Sequence, residues 1–270
     1  MLELYNFSQS TCSIKVRLLL EEKELKWQDR QLVSSNHDHL SEWYLKLNPN
    51  GVVPTLLDNG NPVFESTSIL EYLEDSFPDK SYRPKDFYLR SQMRAWLVFV
   101  DVWPGPAVRI PSFHFGGLMK KFAKMSNSEF RSLRLKRPLK SEFYRSFDKD
   151  TGFSEHQIFE SFAVLDRSFY RMDSMLQKFG GPWLLGDSYT LADIAILPVV
   201  DRIEDLGLDG LWSQTYPRVS DWLAAAQSRA ATKLAFYSGS RLSDQFPDLV
   251  KGAMSLSDWS DRFKKEFNSS

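Results

Sequence analysis

The chain has 270 residues, of which 42% are hydrophobic and 14% aromatic, enough to bury the core of one large or two ordinary domains. Lys and Arg number 34 against 35 for Asp and Glu, so the charge balance gives no support to a nucleic-acid or anionic-membrane partner. The one cysteine, Cys12, rules out an internal disulfide and a cysteine-rich metal site, and it suits a reducing compartment. Because the first residues lack a signal-peptide pattern and no run of 18 apolar residues occurs, we expect a cytoplasmic protein that does not span a membrane.

Strand and helix patterns alternate over residues 1–78, which we interpret as a first domain. A helix is indicated where Val16, Leu19 and Leu20 fall on one face, and a hairpin where turn residues 58–61 separate two β-prone runs. The predicted elements, in chain order, are a strand over 2–7, a helix over 13–23, a strand over 25–32, a short helix over 38–47, a hairpin over 55–64 and a helix over 66–77. The order βαβ followed by αββα predicts a small α/β unit.

The chain after residue 85 has helical patterns, and residues 79–85 have the composition of a linker. We therefore predict an all-helical second domain over residues 86–270. A long helix over 86–103 should stop at a Pro-Gly-Pro sequence, after which residues 104–153 form an irregular insertion. Capping boxes, in which Glu, Gln or Asp follows an N-cap hydroxyl by three residues, predict helices that start at Ser126, Ser154 and Thr190.

Two features of the first domain suggest a site for an extended peptide. Pro54 opens the β-prone run 55–57, where a proline costs no ladder hydrogen bond, and a cis bond there would turn the chain sharply. The main chain of Val53 would then point outward, free to pair with a ligand's main chain. Glu65 and Ser66 lie where a strand ends and a helix begins, so free N–H groups favour a carboxylate and Glu65 could hold an ammonium. A ligand with an α-amino and an α-carboxylate group would fit.

With these motifs in order, the chain resembles the cytosolic glutathione transferase superfamily. The resemblance extends from about residue 1 to residue 229, and its carriers are Val53-Pro54, Glu65-Ser66, the helix-capping segment 186–194 and the order of the predicted elements. It implies a thioredoxin-like α/β N-terminal domain that binds glutathione, followed by an all-α C-terminal domain that binds the second substrate. It also implies a dimer, either of this chain with itself or with a related subunit.

The resemblance assigns contacts to glutathione, the co-substrate, and implies no metal. Val53 and Pro54 would hold its cysteinyl part through the main chain, and Glu65 and Ser66 would hold its γ-glutamyl end. His39 matches a position that contacts the glycine carboxylate. The alternative interpretation of His39 is a solvent-exposed helix residue.

The hydroxyl that activates the thiol is expected where the first strand meets the first helix. Thioredoxin-like proteins carry Cys-x-x-Cys there, and this chain has Ser10-Thr11-Cys12-Ser13, which resembles the serine-type transferases. A hydroxyl and free helix N–H groups would stabilise the thiolate, the nucleophilic form of glutathione. Ser10 and Ser13 are both candidates: most serine-type relatives favour Ser10, and the etherase-type relatives described below favour Ser13. Either serine could also be an N-cap. Cys12 raises the alternative of an omega-type mixed-disulfide enzyme, but those members have the cysteine in the first place of the motif and this chain has it in the third.

The middle of the chain narrows the resemblance to the bacterial glutathione-dependent β-aryl etherases of lignin breakdown. The similarity lies in segment 65–84, in shorter matches further on, and in the long insertion. It implies that the glutathione thiolate displaces a phenol from the carbon next to a ketone. These relatives have asparagine at the place of Cys12 and glutamine at the place of His39, so the departures concern the substrate rather than the fold.

Aromatic residues in and near the insertion could line the second-substrate pocket or could simply pack in the core. The candidates are Trp103, Phe113, Phe115, Tyr144 and Phe147. Two other functions stay open: a general detoxifying glutathione S-transferase that acts on small electrophiles, and a non-catalytic glutathione-fold binding protein. The apolar stripe Met93, Trp96, Leu97 and Val100 is either a dimer face or intramolecular core.

Overall fold

The N-terminal residues form a four-stranded sheet flanked by helices. The structure, a computed structural model, describes residues 1–248 and 254–267. The strands are β1 (Leu2–Asn6), β2 (Trp27–Gln31), β3 (Thr55–Asp58) and β4 (Asn61–Phe64), in the order β2-β1-β3-β4. The β1–β2 pair is parallel, and the other two pairs are antiparallel. Buried and half-buried residues alternate along β1, as they do in a strand that packs one face on a core.

Three helices complete this unit: α1 (Thr11–Glu22), α2 (Glu42–Leu47) and α3 (Ser66–Ser76). Helix α1 crosses from β1 to β2, because parallel strands cannot be joined by a tight turn. The predicted α/β unit is therefore confirmed. The helix predicted over 38–47 is shorter, since Asp38–Leu40 is a 3₁₀ turn and Ser41 is extended. The hydroxyl of Ser41 donates to the carbonyl of Asp38 at 2.6 Å, which closes that turn before α2 begins.

The rest of the described chain is helical, as predicted. Its helices are α4 (Phe87–Val102), α5 (Pro104–Ala107), α6 (Arg109–His114), α7 (Asn127–Leu135), α8 (Ser141–Arg145), α9 (Glu155–Phe179), α10 (Leu191–Asp205), α11 (Pro217–Ser228), α12 (Ala230–Ala235), α13 (Leu242–Gln245) and α14 (Met254–Phe267). The three predicted capping boxes form at the starts of α7, α9 and α10. Within residues 1–248 and 254–267, no helix has the length and apolar character needed to cross a membrane.

The insertion over residues 104–153 is more regular than the sequence predicts. Helices α5 to α8 and a 3₁₀ turn at Lys120–Phe122 occupy much of it. Helix α4 ends before the Pro-Gly-Pro sequence as expected, but Pro104 then starts α5, because a proline loses no hydrogen bond at the first helical position. Helices of four to nine residues are too short to show a clear apolar period, so the pattern indicated only α7, through its capping box.

The apolar stripe of α4 lies inside the chain. Met93, Trp96, Leu97 and Val100 are all buried, and the indole N–H of Trp96 donates to the carbonyl of Ala192 at 3.1 Å. Helix α4 packs against α10 and α5. Of the two interpretations of this stripe, the structure supports intramolecular core.

A buried ion pair fixes the segment between the sheet unit and the helices. Lys23 Nζ and Glu74 Oε1 lie 2.9 Å apart, and neither side chain is more than 1% exposed. Glu74 also accepts the main-chain N–H of Tyr82, and Lys23 donates to the carbonyl of Lys80 at 2.7 Å. The segment that we predicted as a linker, residues 79–85, is therefore held against the sheet unit.

The chain beyond residue 238, whose role the sequence left open, returns to the helical part. Trp259 and Phe263 of α14 pack against Phe159 of α9, with ring centroids 5.7 and 6.0 Å away. Residues 249–253 and 268–270, including the predicted domain end at residue 270, lie outside the described part of the chain.

Candidate active site

A cleft lies between the sheet unit and the insertion, and it consists of two adjoining cavities. Their volumes, open mouths included, are about 580 and 880 Å³, which is ordinary for small-molecule sites. We call the smaller one the peptide cavity; it includes Val53, Pro54, Glu65 and Ser66. We call the larger one the aromatic cavity; it includes Phe7, Phe113, Phe143 and Tyr144. Both cavities share Cys12, Val52, Val53, Arg109 and Lys140, so a ligand in one lies next to a ligand in the other.

The peptide cavity brings together four residues that we predicted to bind glutathione: Val53, Pro54, Glu65 and Ser66. The peptide bond between Val53 and Pro54 is cis. Strand β3 begins only at Thr55, and the main chain of Val53 makes no hydrogen bond within the described residues. It is therefore free to pair with the main chain of a peptide ligand.

Glu65, which lines the same cavity as the main chain of Val53, has an unusual backbone conformation. Its φ of 67° lies in the left-handed region, which costs a residue that has a Cβ about 1–3 kcal/mol. Its carboxylate accepts a hydrogen bond from Asn50 Nδ2 at 2.8 Å. Ser66 is the first residue of α3, so the N–H groups of this turn have no partner within the helix. A carboxylate beside free helix N–H groups can hold an ammonium and an anion of the same ligand.

The start of α1 presents two hydroxyls and a thiol to the aromatic cavity, those of Ser10, Thr11 and Cys12. Ser10 is the N-cap, and its Oγ accepts the N–H of Ser13 at 3.3 Å. Ser13 is fully buried, and its Oγ has no hydrogen-bond partner in the described part of the chain. Of the two candidate serines, the structure therefore places Ser10 in the cleft and Ser13 behind it.

His39 lines the aromatic cavity but is buried, so the interpretation as an exposed helix residue is wrong. Its Nε2 lies 2.9 Å from Nη1 of Arg137. Because a guanidinium can only donate, this nitrogen accepts, and the neutral ring carries its proton on Nδ1. Burial, followed by the charges of Arg137 and Lys121, lowers the pKa of His39 to about 3. The positive charge available to a carboxylate at this place therefore belongs to Arg137.

Four cations that have no ion pair within the described residues line the aromatic cavity: Arg109, Lys121, Arg137 and Lys140. A further lining cation, Arg202, is paired with Asp205. Burial, followed by the charges of Arg137 and Lys140, lowers the pKa of Lys121 to about 8. Burial, followed by the charge of Arg109, lowers the pKa of Lys140 to about 8. No carboxylate among residues 1–248 and 254–267 lines this cavity, although Glu65 of the adjoining peptide cavity favours the charge of Lys140.

The structure places two of the five predicted aromatic residues in the cavity. Phe113 and Tyr144 line it, with ring centroids 5.9 Å apart. Trp103 is 54% exposed at the end of α4 and lies outside the cleft. Phe115 packs against α14 instead, and Phe147 packs behind the two lining rings. The expectation for these three residues is thus corrected, because one faces solvent and the other two fill core.

The cationic lining of the cavity was not predicted from the sequence. Lys121, Arg137 and Lys140 come from a 3₁₀ turn and from the segment between α7 and α8, where no pattern predicts what a side chain faces. One signal was present. Lys and Arg number 11 between residues 104 and 153, against 4 for Asp and Glu, although the whole chain is nearly neutral. In the described residues, no group of three or more His, Cys, Asp and Glu side chains could hold a metal ion.

Comparisons with known proteins agree with the fold. The family model of the glutathione S-transferase N-terminal domain matches residues 9–76, and that of the C-terminal domain matches residues 155–225. Protein LigF of Sphingobium sp. (strain NBRC 103272 / SYK-6) is 32% identical over 247 residues, 89% of this chain and 95% of LigF. Maleylacetoacetate isomerase of Dictyostelium discoideum is 26% identical over 221 residues, 80% of this chain and 84% of the isomerase.

The solved structures include one described as the beta-etherase LigF from Sphingobium sp. strain SYK-6. It has a TM-score of 0.78 and 31% identity, and the match covers 87% of this chain and 98% of that one. The sequence match, the two family models and the shared architecture agree along the chain. This chain therefore belongs to the glutathione S-transferase family.

Proposed function

We propose that this glutathione transferase cleaves β-aryl ethers, with the thiolate of glutathione displacing a phenol from the carbon next to a ketone. The observation that carries the proposal is the similarity to LigF, whose structure is described as a beta-etherase, over most of both chains. The cleft supports it, because the peptide cavity adjoins a cavity lined by aromatic rings. A thiolate and a surface for aryl groups are the two things that this displacement requires.

Glutathione would lie across the peptide cavity with its sulfur toward the start of α1. Its γ-glutamyl end would meet Glu65 and Ser66, and its cysteinyl main chain would pair with Val53. Its glycine carboxylate would lie near His39, where Arg137 supplies the positive charge. Of the two candidate serines, Ser10 is the one that lines the cleft at this point, so we assign it as the donor to the sulfur. A hydroxyl donor and the N-terminus of α1 both favour the thiolate over the thiol, and they lower the pKa of the bound thiol.

The reaction balances without an oxidant or a reductant. The thiol of glutathione gives its proton to solvent, a C–S bond forms as the C–O bond to the aryl group breaks, and the leaving phenolate takes a proton from solvent. The adjacent carbonyl activates the attacked carbon, and a phenolate is a tolerable leaving group. The remaining work is to hold the sulfur in line with the C–O bond, and such positioning is worth several kcal/mol.

The aromatic cavity would hold the two rings of the ether. Phe113 meets Phe143 edge to face, with centroids 5.1 Å apart, and meets Tyr144 in the same way. Packed rings of this kind offer both faces and edges to a further ring. Phe113 and Tyr144 are therefore the aromatic residues that we propose for substrate binding.

The proposal is tested by incubating the protein with reduced glutathione and a β-aryl-ether ketone, then following the phenol and the glutathione thioether. We expect both products in equal amounts, with activity that Ser10→Ala reduces. If a chloronitrobenzene is conjugated but no phenol is released, the protein is a general detoxifying transferase. If glutathione binds but neither electrophile reacts, it is a glutathione-binding protein without this catalysis.

We also propose a dimer, formed through the outer face of α4 rather than its buried stripe. Phe87, Val98, Val102 and Trp103 are large apolar side chains that stay more than half exposed there. Exposed apolar side chains that cluster on one helix commonly mark an interaction surface. Light scattering of the protein and of a Val98→Glu, Val102→Glu variant measures the mass directly, and a monomeric starting protein would refute the proposal.

A further inference from the structure

One lysine lies at the junction of the two cavities, where the displacement would take place. Lys140 is the last residue before α8, and its side chain lines both the peptide cavity and the aromatic cavity. We propose that Lys140 is a catalytic residue, the general acid that gives a proton to the oxygen of the leaving phenolate. This inference rests on the proposed function, since it assigns one step of the same displacement to a residue of the same cleft.

The junction is where the sulfur of glutathione and the ether would meet. The sulfur would lie beside Ser10 and Val53, and the rings of the ether would lie in the aromatic cavity, so the C–O bond that breaks would lie between them. Among residues 1–248 and 254–267, three ionisable side chains line both cavities, those of Cys12, Arg109 and Lys140. An arginine keeps its proton in proteins, so Cys12 and Lys140 are the two groups at the junction that can give one up.

The direction of the displacement selects the lysine from these two groups. The leaving oxygen must lie on the side of the attacked carbon that faces away from the sulfur, because the sulfur attacks in line with the C–O bond. Ser10 and Cys12 belong to the start of α1 in the sheet unit, so they share one wall of the cleft with the nucleophile. Lys140 belongs to the insertion, which forms the opposite wall. A proton donor for the phenolate is needed on that wall.

The ammonium group of Lys140 is free to meet a substrate. Its side chain makes no hydrogen bond and no ion pair in the described part of the chain. Burial, followed by the charge of Arg109, lowers its pKa to about 8, although Cys12 and Glu65 favour its charge. A general acid works best when its pKa is near the working pH, and an ordinary lysine holds its proton too tightly for that. The ionisable groups around it are His39, Cys12 of α1, Glu65 before α3, Arg109 of α6, Lys121 of the 3₁₀ turn and Arg137 after α7.

Glutathione does not need Lys140 for its own carboxylates. In the proposed placement, the γ-glutamyl carboxylate lies at Ser66 and the glycine carboxylate lies near His39. Burial, followed by the charges of Arg137 and Lys121, dominates the low pKa of His39, and Lys140 lowers it least. The cations that act most strongly at the glycine position are therefore Arg137 and Lys121, and Lys140 is left for the reacting atoms at the junction.

The step moves one proton and leaves the overall reaction balanced. As the sulfur forms the C–S bond, the electron pair of the C–O bond passes to the aryl oxygen, and one N–H proton of Lys140 passes to the same oxygen. The phenol leaves as a neutral molecule, and the amine regains a proton from solvent, so solvent still supplies the proton in the net reaction. The transfer is favourable, because a phenol such as the tyrosine side chain has a pKa of about 10 and Lys140 has one of about 8.

The test compares two β-aryl-ether ketones that differ only in the leaving group, which is phenol in one and the more acidic nitrophenol in the other. With saturating glutathione at pH 7, Lys140→Met should lower kcat/KM for the phenyl ether by roughly 100-fold, as the loss of a general acid does. The loss for the nitrophenyl ether should be much smaller, because nitrophenolate is a weaker base that leaves without a proton. Lys140→Arg keeps the charge but cannot release a proton, so it should show the same selective loss. Lys136→Met is the matched control, since this neighbouring lysine is exposed, and it should keep the wild-type ratio.

The pH dependence provides a second measurement of the same proton. In the wild type, kcat/KM for the phenyl ether should fall as pH rises through about 8, because Lys140 loses its proton there. The nitrophenyl ether should not show this fall, and Lys140→Met should remove it for the phenyl ether. A phenyl-ether profile of Lys140→Met that keeps the fall would overturn the inference.

The outcomes separate this inference from the proposed function. If the wild type releases neither phenol nor nitrophenol, the proposed function fails and the inference fails with it. If the wild type cleaves both ethers but Lys140→Met slows them equally, or if Lys140→Arg restores the wild-type ratio, the lysine acts through its charge alone; the inference is then overturned while ether cleavage stands. A higher KM for glutathione with an unchanged ratio would place Lys140 at the tripeptide and would overturn it as well. If Lys140→Met does not fold, the ratio in Lys140→Arg decides, and a selective loss on the phenyl ether supports the inference.

Discussion

Replacing Lys121 by Met should stabilise the protein, although it removes a hydrogen bond. In the folded protein the pKa of this lysine falls from 10.5 to about 8. At neutral pH the charged ammonium therefore destabilises the folded state by roughly 3 kcal/mol. The substitution loses the bond to Ser34 and two cation–π contacts, with Phe113 and Phe122, which together are worth about 1–2 kcal/mol. The methionine keeps the apolar stem in place. We expect a net gain of about 1–2 kcal/mol, which for a chain of this size raises Tm by roughly 2–6 °C.

The pH dependence of this gain is the sharper test. Below pH 8 the lysine is charged in both the folded and the unfolded state, so its charge destabilises the folded state in full. Between pH 8 and 10.5 the folded wild type has lost this proton while the unfolded chain still binds it, so the stability of the wild type rises with pH. Thermal unfolding of Lys121→Met and the wild type from pH 7 to 9.5 should therefore show a difference that shrinks as pH rises, with Lys120→Met showing none. A lower Tm for Lys121→Met at pH 7, or a difference independent of pH, would refute the electrostatic reasoning.

Three further predictions follow from the same structure. Ser10→Ala should lower kcat/KM at pH 7 by roughly 10- to 100-fold and raise the pKa of bound glutathione in an ultraviolet thiolate titration, whereas Ser13→Ala should change neither, because its hydroxyl is buried and unpaired. Inhibition by an aromatic carboxylate should weaken as pH rises through about 8, because Lys121 and Lys140 lose their protons there while Arg137 stays charged and His39 stays neutral; an inhibition constant that is flat from pH 6.5 to 9.5 would contradict this. Arg17→Met should reduce the free energy of unfolding by roughly 2–4 kcal/mol in urea denaturation, because it removes five buried or half-buried hydrogen bonds. Three of these bonds join α1 to Ala235, Tyr237 and Ser240 near the end of the helical part.

The parts of the fold that could be predicted are those that neighbouring residues determine. The capping boxes at Ser126, Ser154 and Thr190 start helices because the hydroxyl and the acceptor that close them lie three residues apart. The turn at residues 58–61 joins β3 and β4 for the same local reason. Its two central residues, Asn59 and Gly60, have positive φ, and asparagine and glycine are the residues that favour such a turn. The residues of the peptide cavity could be predicted in the same way. Pro54 directly precedes β3 and Glu65 directly follows β4, and neighbouring residues mark both strand ends.

The aromatic cavity could not be predicted in the same way, because its residues meet only through tertiary packing. His39 and Arg137 are 98 residues apart and form a hydrogen bond. Phe113 and Phe115 are two residues apart, yet the first lines the cavity and the second packs against α14, and a six-residue helix has too few turns to indicate which side faces in. The local excess of basic residues in the insertion was the one clue, and it predicts positive charge without saying where that charge points.

Stability and ligand binding should therefore respond in opposite directions at the unpaired cations of the aromatic cavity. If Lys121 and Arg137 were ordinary structural residues, removing either would lower both stability and activity. If they were ordinary solvated surface charges, as Lys120 and Lys136 are, removing them would change neither. Only cations kept for a negatively charged ligand predict a variant such as Lys121→Met that unfolds at a higher temperature and yet binds that ligand less tightly. KM for glutathione identifies the ligand: it should rise in the variant if these cations hold the glycine carboxylate of the tripeptide near His39, and it should stay unchanged if they hold a second substrate.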